Sequence, residues 1–320
     1  MTVRMDGCSK QLEFGYVDDP KTGKSHLKLK STLFCRCRHC TICQWRRLLK
    51  WRARFFDAAP AILRDYPSAE FVHLTLTVKN CEVQDLRSTL DWMNKAWQRM
   101  TQRKQFPAIG FARSTEVTKN WDVYYKGSYQ GRMGGKTLKK WKKDKGFIKP
   151  DELVLETTTE AHPHFHALLM VSSTYGNGNY YLSFEKWQEL WKSGLRVDYK
   201  PNVDIRKVRP NKRWLAENDV ELTAEQNLAG AIVETFTYTV KPSDLVGRET
   251  EADQQWLLHV TQQLENTRAI ALGGVFKKYL SEDDPEDLVG KSKEPEDISA
   301  SSVWYKWQKI AQRYMKIWED

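Results

Sequence analysis

The chain has 320 residues, of which 40% are hydrophobic, so it can bury one large core or two modest ones. Lysine and arginine number 51 against 41 aspartates and glutamates. The resulting net charge of +10 is a modest indication of a polyanionic partner, usually nucleic acid, with scattered surface charge as the alternative. No run of about 18 apolar residues occurs, and the amino terminus lacks the apolar segment of a secretory signal. We therefore expect a cytoplasmic protein that does not use a membrane.

The first segment, residues 1–66, is predicted to form a metal-binding element followed by a basic helix. Short strands are expected in KQLEFGYV and in SHLKLKSTLF. Helical periodicity then runs through QWRRLLKWRARFFDAAPAIL, with Arg46, Lys50 and Arg54 recurring every four residues on one face. This pattern indicates a helix that can present positive charge to DNA.

Four of the six cysteines lie within nine residues, a crowding typical of a metal site in a protein without an export signal. Cys35, Cys40 and Cys43 are spaced as three thiolate ligands of a tetrahedral Zn²⁺. Three residues are candidates for the fourth ligand: Cys8, Cys37 and His39. Because four protein ligands leave no open position, we expect this zinc to be structural.

Residues 67–250 are predicted to form an α+β core, because strand patterns rich in Thr, Val and Leu alternate with helical patterns. Strands are expected in AEFVHLTLTVKN, GFARSTEVTKN and HFHALLMVSS, and in one or two pieces of LRVDYKPNVDIRKV. Helices are expected at 82–103, 183–194 and 223–241, the last ended by Pro242.

Residues 120–150 are rich in glycine and lysine, and six lysines surround Trp141. We interpret this segment as an insertion that forms a hairpin or a loop, either as a solvated surface or as an arm that contacts DNA.

Residues 251–320 are predicted to be a helical region, with helices at 251–267 and 302–318 and an acidic linker near 281–298.

The stretch TEAHPHFHALLMV places three of the seven histidines within five positions. Alternate residues of a strand share a face, but Pro163 removes a ladder hydrogen bond, so we expect the regular strand to begin after it. His164 and His166 are then the secure pair, and two imidazoles on one sheet face can converge on one divalent ion. The alternative is a pair of half-buried histidines with ordinary hydrogen bonds.

Two further motifs supply groups that a catalytic metal site needs. Glu116 lies in the middle of the strand RSTEVT, where a neighbouring antiparallel strand can bring it beside the histidines. In AIVETFTYTVK, Glu234, Tyr238 and Lys241 share one face of the predicted helix and are a candidate base, nucleophile and anion stabiliser. The alternatives are a surface glutamate and an amphipathic helix with a tyrosine at its edge.

These motifs together resemble, in the same order, those of the rolling-circle replication initiators of small bacterial plasmids, within the HUH endonuclease superfamily. The similarity covers most of the chain and rests on GCSKQLEF, FCRCRHCTICQWRR, HLTLTV, GFARSTEVT, HPHFHALLMV, VDIRKV, ETFTYTVK and RAIALGGVFKK. The His-hydrophobic-His motif is His164-Phe165-His166. The segment 120–150 departs from the pattern, because it is longer than the family usually has between its glutamate and histidine motifs.

The resemblance implies an HUH endonuclease core, which has an antiparallel central sheet with flanking helices. It also implies a metal-dependent DNA nickase and strand transferase that acts at a replication origin. The family attacks through tyrosine and forms a covalent 5′-phosphotyrosine, which maps to Tyr238. Glu234 is then the carboxylate that activates water for termination. The resemblance maps the ligands of the catalytic ion, Mn²⁺ or Mg²⁺, to His164, His166 and Glu116.

The resemblance also puts a cysteine at Cys8, which makes Cys8, Cys35, Cys40 and Cys43 the preferred zinc ligands. The expected partners are double- and single-stranded plasmid origin DNA, a host helicase, a DNA polymerase and a second copy of the chain in a homodimer, all in the bacterial cytoplasm. The alternatives are an HUH transposase and a non-catalytic, zinc-dependent regulator that binds nucleic acid. The regulator leaves the histidine pair and the Glu234/Tyr238 pair unexplained.

Overall fold

The computed structural model describes residues 5–18, 22–37, 39–176, 181–208, 250–280, 301–308, 311 and 313–319, together with Leu228, Ala231, Ile232 and Thr235. These residues divide into two compact units. One contains the described parts of Met1–Lys50 and Asp283–Asp320, and the other contains those of Trp51–Glu282. No helix within the described ranges is long and apolar enough to cross a membrane.

The strands, numbered in chain order, are β1 (Gln11–Asp18), β2 (Ser25–Thr32), β3 (Glu70–Thr77), β4 (Cys81–Glu82), β5 (Ala108–Tyr125), β6 (Ser128–Gly134), β7 (Leu153–Val171), β8 (Val203–Lys207), β9 (Ile270–Gly274), β10 (Val303–Gln308) and β11 (Arg313–Glu319). The helices are α1 (Thr41–Asp65), α2 (Leu86–Thr101), α3 (Gly135–Lys145), α4 (Phe184–Leu195), α5 (Glu251–Gln263) and the single turn α6 (Phe276–Tyr279). Most elements predicted before residue 208 are therefore confirmed in type and place.

The smaller unit holds a four-stranded antiparallel sheet in the order β11-β10-β1-β2. The helix predicted at 302–318 is wrong, because β10 and β11 occupy this stretch, and 251–320 is not a purely helical region. The segment VWYKWQ is rich in residues that favour strands. It pairs with β1 along the register from Gln11↔Lys306 to Phe14↔Val303, a contact between distant parts of the chain that local periodicity cannot reveal.

The larger unit is built on an antiparallel sheet in the order β6-β5-β7-β3-β8, with β4 also paired to β7 and β9 to β5. One face of this sheet carries the core, against which α2, α4 and α5 pack. Phe165 of β7 is fully buried there, with its ring 6.3 Å from Trp97 of α2 and 6.3 Å from Trp191 of α4. The predicted α+β core with an antiparallel sheet and flanking helices is confirmed at this level.

Helix α5 is tied to the same face by a buried ion pair. Lys119 of β5 contacts Asp253, and Thr157 of β7 also donates a hydrogen bond to this carboxylate. Burial acts to raise the pKa of Asp253, but these partners together with Thr250 hold it below its usual range. The carboxylate therefore stays ionised opposite Lys119 at neutral pH.

Pro163 lies inside β7, so the expectation that the regular strand begins after it is wrong. On one side Pro163 is the register partner of Val117 in β5. On the other side the pairing with β3 ends opposite His164, and the pairing with β4 begins opposite Ala161. Position 163 falls between these two pairings. On this side, no hydrogen bond between the described strands requires the backbone N–H that proline lacks.

The insertion at 120–150 forms the end of β5, the strand β6 and the helix α3, so a hairpin is confirmed and the helix was not foreseen. Lys126 and Gly127 make a two-residue turn between Tyr125 and Ser128, with φ of 50° and 75°. Positive φ at both positions is what a type I′ hairpin turn requires, and glycine meets this requirement without steric cost.

Candidate metal centres

The sheet brings Glu116, His164 and His166 together on the face opposite the helical core. Glu116 of β5 is the direct register partner of His164 in the neighbouring strand β7, and Ser114 is the partner of His166. Residues two apart on a strand share a face, so Glu116 lies directly across from one histidine and diagonally from the other. The alternation predicted from the sequence, together with this register between β5 and β7, explains the cluster.

The three side chains point at one another through specific atoms. Glu116 Oε2 lies 2.7 Å from His166 Nε2 and 3.1 Å from His164 Nε2, and Glu116 is only 3% exposed. Burial acts to raise the pKa of Glu116, but hydrogen bonds and positive charge from the two histidines hold it far below its usual range. The carboxylate is therefore ionised at neutral pH and available as a ligand.

This arrangement fits a divalent cation. A six-coordinate ion with ligand bonds of ~2.1 Å keeps neighbouring ligand atoms ~3.0 Å apart. The observed separations of 2.7 and 3.1 Å match this value, and one atom from each of the three residues lies within 4.8 Å of the others. Two imidazoles and one carboxylate leave three positions of such an ion for oxygen atoms of other molecules.

Thr75 of β3 sets the orientation of His166 and was not foreseen from the sequence. Its Oγ1 lies 3.2 Å from His166 Nδ1. When Nδ1–H donates to this hydroxyl, Nε2 can give up its proton and offer its lone pair to a metal ion bound beside Glu116, which is the tautomer that binds a metal. The signal was present in HLTLTV, because Thr75 alternates with the buried Leu74 and Leu76 and so faces the histidines.

We expect Thr75→Val to weaken binding of Mn²⁺ by ~10- to 100-fold, because Nδ1 of His166 loses the partner that fixes its tautomer. Isothermal titration of Mn²⁺ into the purified protein measures this change. Thr77→Val is the matched control: it lies on the same face of β3, but its hydroxyl donates to the carbonyl of Asn202 and not to a histidine. Equal affinities in the two variants would remove Thr75 from the site.

The cluster lies in a cleft of about 1210 Å³. His162 lines it too, but its Nδ1 lies 2.6 Å from Asn80 Oδ1, and it is not part of the three-residue cluster. Arg132 binds Asp122 with two nitrogens and Glu160 with a third, so these two carboxylates neutralise its positive charge. The cleft also contains Lys136, Lys139 and Lys142 of the insertion helix α3.

Glu234, Tyr238 and Lys241 lie outside the described residues. Their nearest described neighbours along the chain, Ala231, Ile232 and Thr235, are helical and buried. Ser114 Oγ donates a hydrogen bond of 2.6 Å to the carbonyl oxygen of Thr235. Because Ser114 is two residues from Glu116 on β5 and opposite His166, this bond fixes residue 235 on the face of the sheet that carries the cluster.

The four predicted zinc ligands converge in the smaller unit. Cys8, Cys35, Cys40 and Cys43 are buried, and their Sγ atoms lie within 4.8 Å of one another. A tetrahedral Zn²⁺ with Zn–S bonds of ~2.3 Å places its sulfurs ~3.8 Å apart. The observed distance from Cys43 Sγ is 3.7 Å both to Cys8 Sγ and to Cys35 Sγ, so the site fits a tetrahedral metal ion.

The alternatives for the fourth ligand lie outside this group. Cys37 directs its Sγ to the carbonyl oxygen of Cys35 at 3.6 Å, and His39 is buried but is not a member of the cluster. Burial raises the pKa of the Cys8 and Cys35 thiols above the usual range of cysteine. These thiols therefore stay protonated without a cation and release protons when a metal binds.

The wild type should carry close to one equivalent of metal in this cluster, and we expect Cys40→Ser to lose it and to expose the N-terminal unit to protease. Elemental analysis of the purified variant and limited proteolysis measure the two effects. Cys37→Ser is the matched control from the same loop and should keep the full metal content. Full retention in Cys40→Ser, or loss in Cys37→Ser, would contradict the ligand set.

Comparisons with known proteins agree with the motifs. A family model described as "Replication protein" matches residues 26–315. Among curated relatives, "Protein rep" of Streptococcus pneumoniae serotype 2 is 29% identical over 97% of this chain and 82% of its own length. "Protein rep" of a Bacillus species is 31% identical over 89% and 82%, and that of Lactiplantibacillus plantarum is 30% identical over 88% and 74%. No solved structure matches the chain significantly.

The matched family defines the class of the molecule as a replication protein. The chain belongs to this family of replication proteins, and the resemblance to the rolling-circle replication initiators of plasmids is confirmed.

Proposed function

We propose that the protein starts rolling-circle replication by nicking one strand of a plasmid origin through a covalent 5′-phosphotyrosine. The observation that carries this proposal is the convergence of Glu116, His164 and His166 in an open cleft. The bond between Ser114 and Thr235 supports it, since Thr235 directly follows Glu234 and precedes Tyr238 by three residues. The core is then that of an HUH endonuclease.

Glu116, His164 and His166 would hold the catalytic ion, which we propose to be Mg²⁺ or Mn²⁺. Imidazole ligands favour Mn²⁺, whereas a carboxylate and open oxygen positions suit Mg²⁺ as well. When bound, the ion polarises the scissile phosphate and orients it for in-line displacement. Thr75 holds His166 in the metal-binding tautomer throughout.

Tyr238 supplies the nucleophile. Its hydroxyl, with a reference pKa of ~10, loses its proton as the oxygen forms a bond to phosphorus. The bond from phosphorus to O3′ breaks, and O3′ takes up a proton to become a free hydroxyl that can prime a DNA polymerase. Lys241 stabilises negative charge on the phosphate. Because one phosphoester replaces another, the bond energy is conserved for later strand joining.

Glu234 ends the cycle. On the predicted helix it lies one turn from Tyr238, where it can take a proton from a water molecule that attacks phosphorus in a second cleavage. Hydrolysis instead of attack by a second tyrosine makes initiation a single event. Tyr238 is thus needed to form the adduct, whereas Glu234 is needed to release it.

The four-cysteine cluster would hold a structural Zn²⁺, since four thiolates complete its tetrahedral coordination. Two of its ligands, Cys40 and Cys43, flank the start of the basic helix α1. The metal therefore fixes the end of a helix that we propose contacts origin DNA.

The proposed partners are double- and single-stranded origin DNA, a host helicase, a DNA polymerase and a second copy of the chain.

Incubation of the protein with single-stranded origin DNA and Mn²⁺ tests the proposal. A DNA nickase of this kind gives a protein–DNA adduct that survives denaturant and a product with a free 3′-OH. A non-catalytic regulator binds the same DNA and leaves it intact. Absence of both adduct and cleavage on origin DNA of the parent plasmid would favour the regulator.

A further inference from the structure

The insertion helix α3 is held firmly on the β5–β6 hairpin by its apolar residues. Leu138 is 7% exposed and packs with Val123 and Met133, and Trp141 packs against the ring of Tyr125 at 5.7 Å between centroids in an edge-to-face contact. These contacts explain why Leu138 and Trp141 are apolar, but they do not explain why lysines surround these two residues.

Three of these lysines, Lys136, Lys139 and Lys142, line the cleft that contains Glu116 and the histidines. They recur every three residues, so they form one stripe that spans ~9 Å of the helix axis. All three are exposed, and no carboxylate of the described residues lies within ion-pair distance of them. The stripe thus presents unneutralised positive charge on the wall of the cleft.

This concentration of charge opposes the stability of the helix itself. Lysines three and four residues apart repel one another, as do Lys136 and Lys139, and the first turn of α3 carries no acidic residue to complement the helix dipole. A bound polyanion relieves this repulsion. The arrangement is therefore one that suits a ligand with regularly spaced negative charges.

We propose that α3 is a clamp for the phosphate backbone of the single DNA strand, on one side of the phosphate that is cut. This inference rests on the proposed nicking function and adds a second binding surface to the same cleft. Lysine contacts to phosphate fix the position of the strand without reading its sequence. The clamp therefore holds the strand in register over the metal centre while other surfaces select the origin.

The test compares the wild type with the triple variant Lys136→Gln, Lys139→Gln, Lys142→Gln. The matched control removes three lysines that do not line the cleft: Lys104→Gln, Lys140→Gln, Lys149→Gln. Binding of a fluorescent single-stranded origin oligonucleotide is measured between 50 and 300 mM salt, without Mn²⁺ or Mg²⁺ so that no strand is cut. Thermal unfolding by circular dichroism establishes that all three proteins are equally folded.

We expect the triple variant to bind about 100-fold more weakly at 0.1 M salt, with a slope of log K against log salt that is less steep by about 2. The control should change the slope much less. Shortening the oligonucleotide on one side of the nick should weaken binding by the wild type but leave the triple variant unaffected. Shortening on the other side should weaken both proteins equally.

An unchanged salt slope in the triple variant, while the wild type both binds and nicks DNA, would overturn this inference and leave the proposed function standing. A loss that appears on duplex origin DNA but not on the single strand would overturn the assignment to the single strand. A wild type that neither binds nor nicks the oligonucleotide would overturn the inference together with the proposed function.

Discussion

Replacing Tyr238 with phenylalanine should abolish the covalent protein–DNA adduct while origin binding persists. The substitution keeps the aromatic ring, and it removes only the oxygen that we propose attacks phosphorus. Denaturing gels of protein incubated with labelled single-stranded origin DNA and Mn²⁺ measure the adduct. A gel-shift assay on duplex origin DNA shows that the variant still binds.

Replacing Glu234 with alanine should have a different effect, because the nucleophile remains. First-strand nicking and joining should survive, but hydrolytic release should fall by ~10²–10⁴-fold with the loss of the proposed general base. The variant should therefore accumulate adduct and give little free product on single-stranded substrate. In cells it should run past the origin and produce single strands longer than one plasmid unit.

The contrast between these two variants decides the role of Glu234. If Glu234→Ala abolishes the adduct as completely as Tyr238→Phe does, Glu234 is a metal ligand or an activator of Tyr238. The role in termination would then be wrong, although the nucleophile would stand.

Replacing both His164 and His166 with alanine should reduce nicking by at least ~10³-fold. The double variant removes two of the three proposed ligands of an ion that would contribute several kcal/mol to stabilisation of the transition state. Binding to double-stranded origin DNA should stay nearly intact, because recognition rests largely on phosphate and base contacts elsewhere. Nicking rates and gel shifts with the same DNA preparation measure both effects.

His162→Ala is the matched control for this experiment, because His162 shares the strand and the face but belongs to a separate contact with Asn80. It should retain most of the nicking activity. Nicking that persists in the double variant would remove His164 and His166 from the catalytic site, and an equal loss in His162→Ala would show that the effect is not specific to the cluster.

The cluster itself could be predicted because it depends on local pattern. Strand alternation places His164 and His166 on one face, and Glu116 needs only one antiparallel neighbour in the right register to join them. The spacing of Cys35, Cys40 and Cys43 in the same way limits them to one small volume. In both cases the residue types and their spacing carry most of the geometry.

The features that were missed depend on contacts between distant parts of the chain. The C-terminal strands β10 and β11 form because β1 offers an edge for pairing, and the predicted helix at 302–318 ignored that edge. Pro163 is tolerated in β7 because two partner strands leave a gap opposite it. The side of helix α3 that faces the cleft likewise depends on which of its residues pack on the β5–β6 hairpin. The composition of the helix alone does not show this.

We expect Tyr238 to become covalently joined to the 5′ end of the nicked strand. Mass spectrometry of the adduct, after nuclease and protease digestion, detects this bond. We predict a residual nucleotide on the peptide that contains Tyr238, attached through its 5′-phosphate to the tyrosine oxygen, and a free 3′-OH on the released DNA. A nucleotide found on another residue of the wild-type protein, or a strand cut without any protein-linked phosphate, would contradict the account.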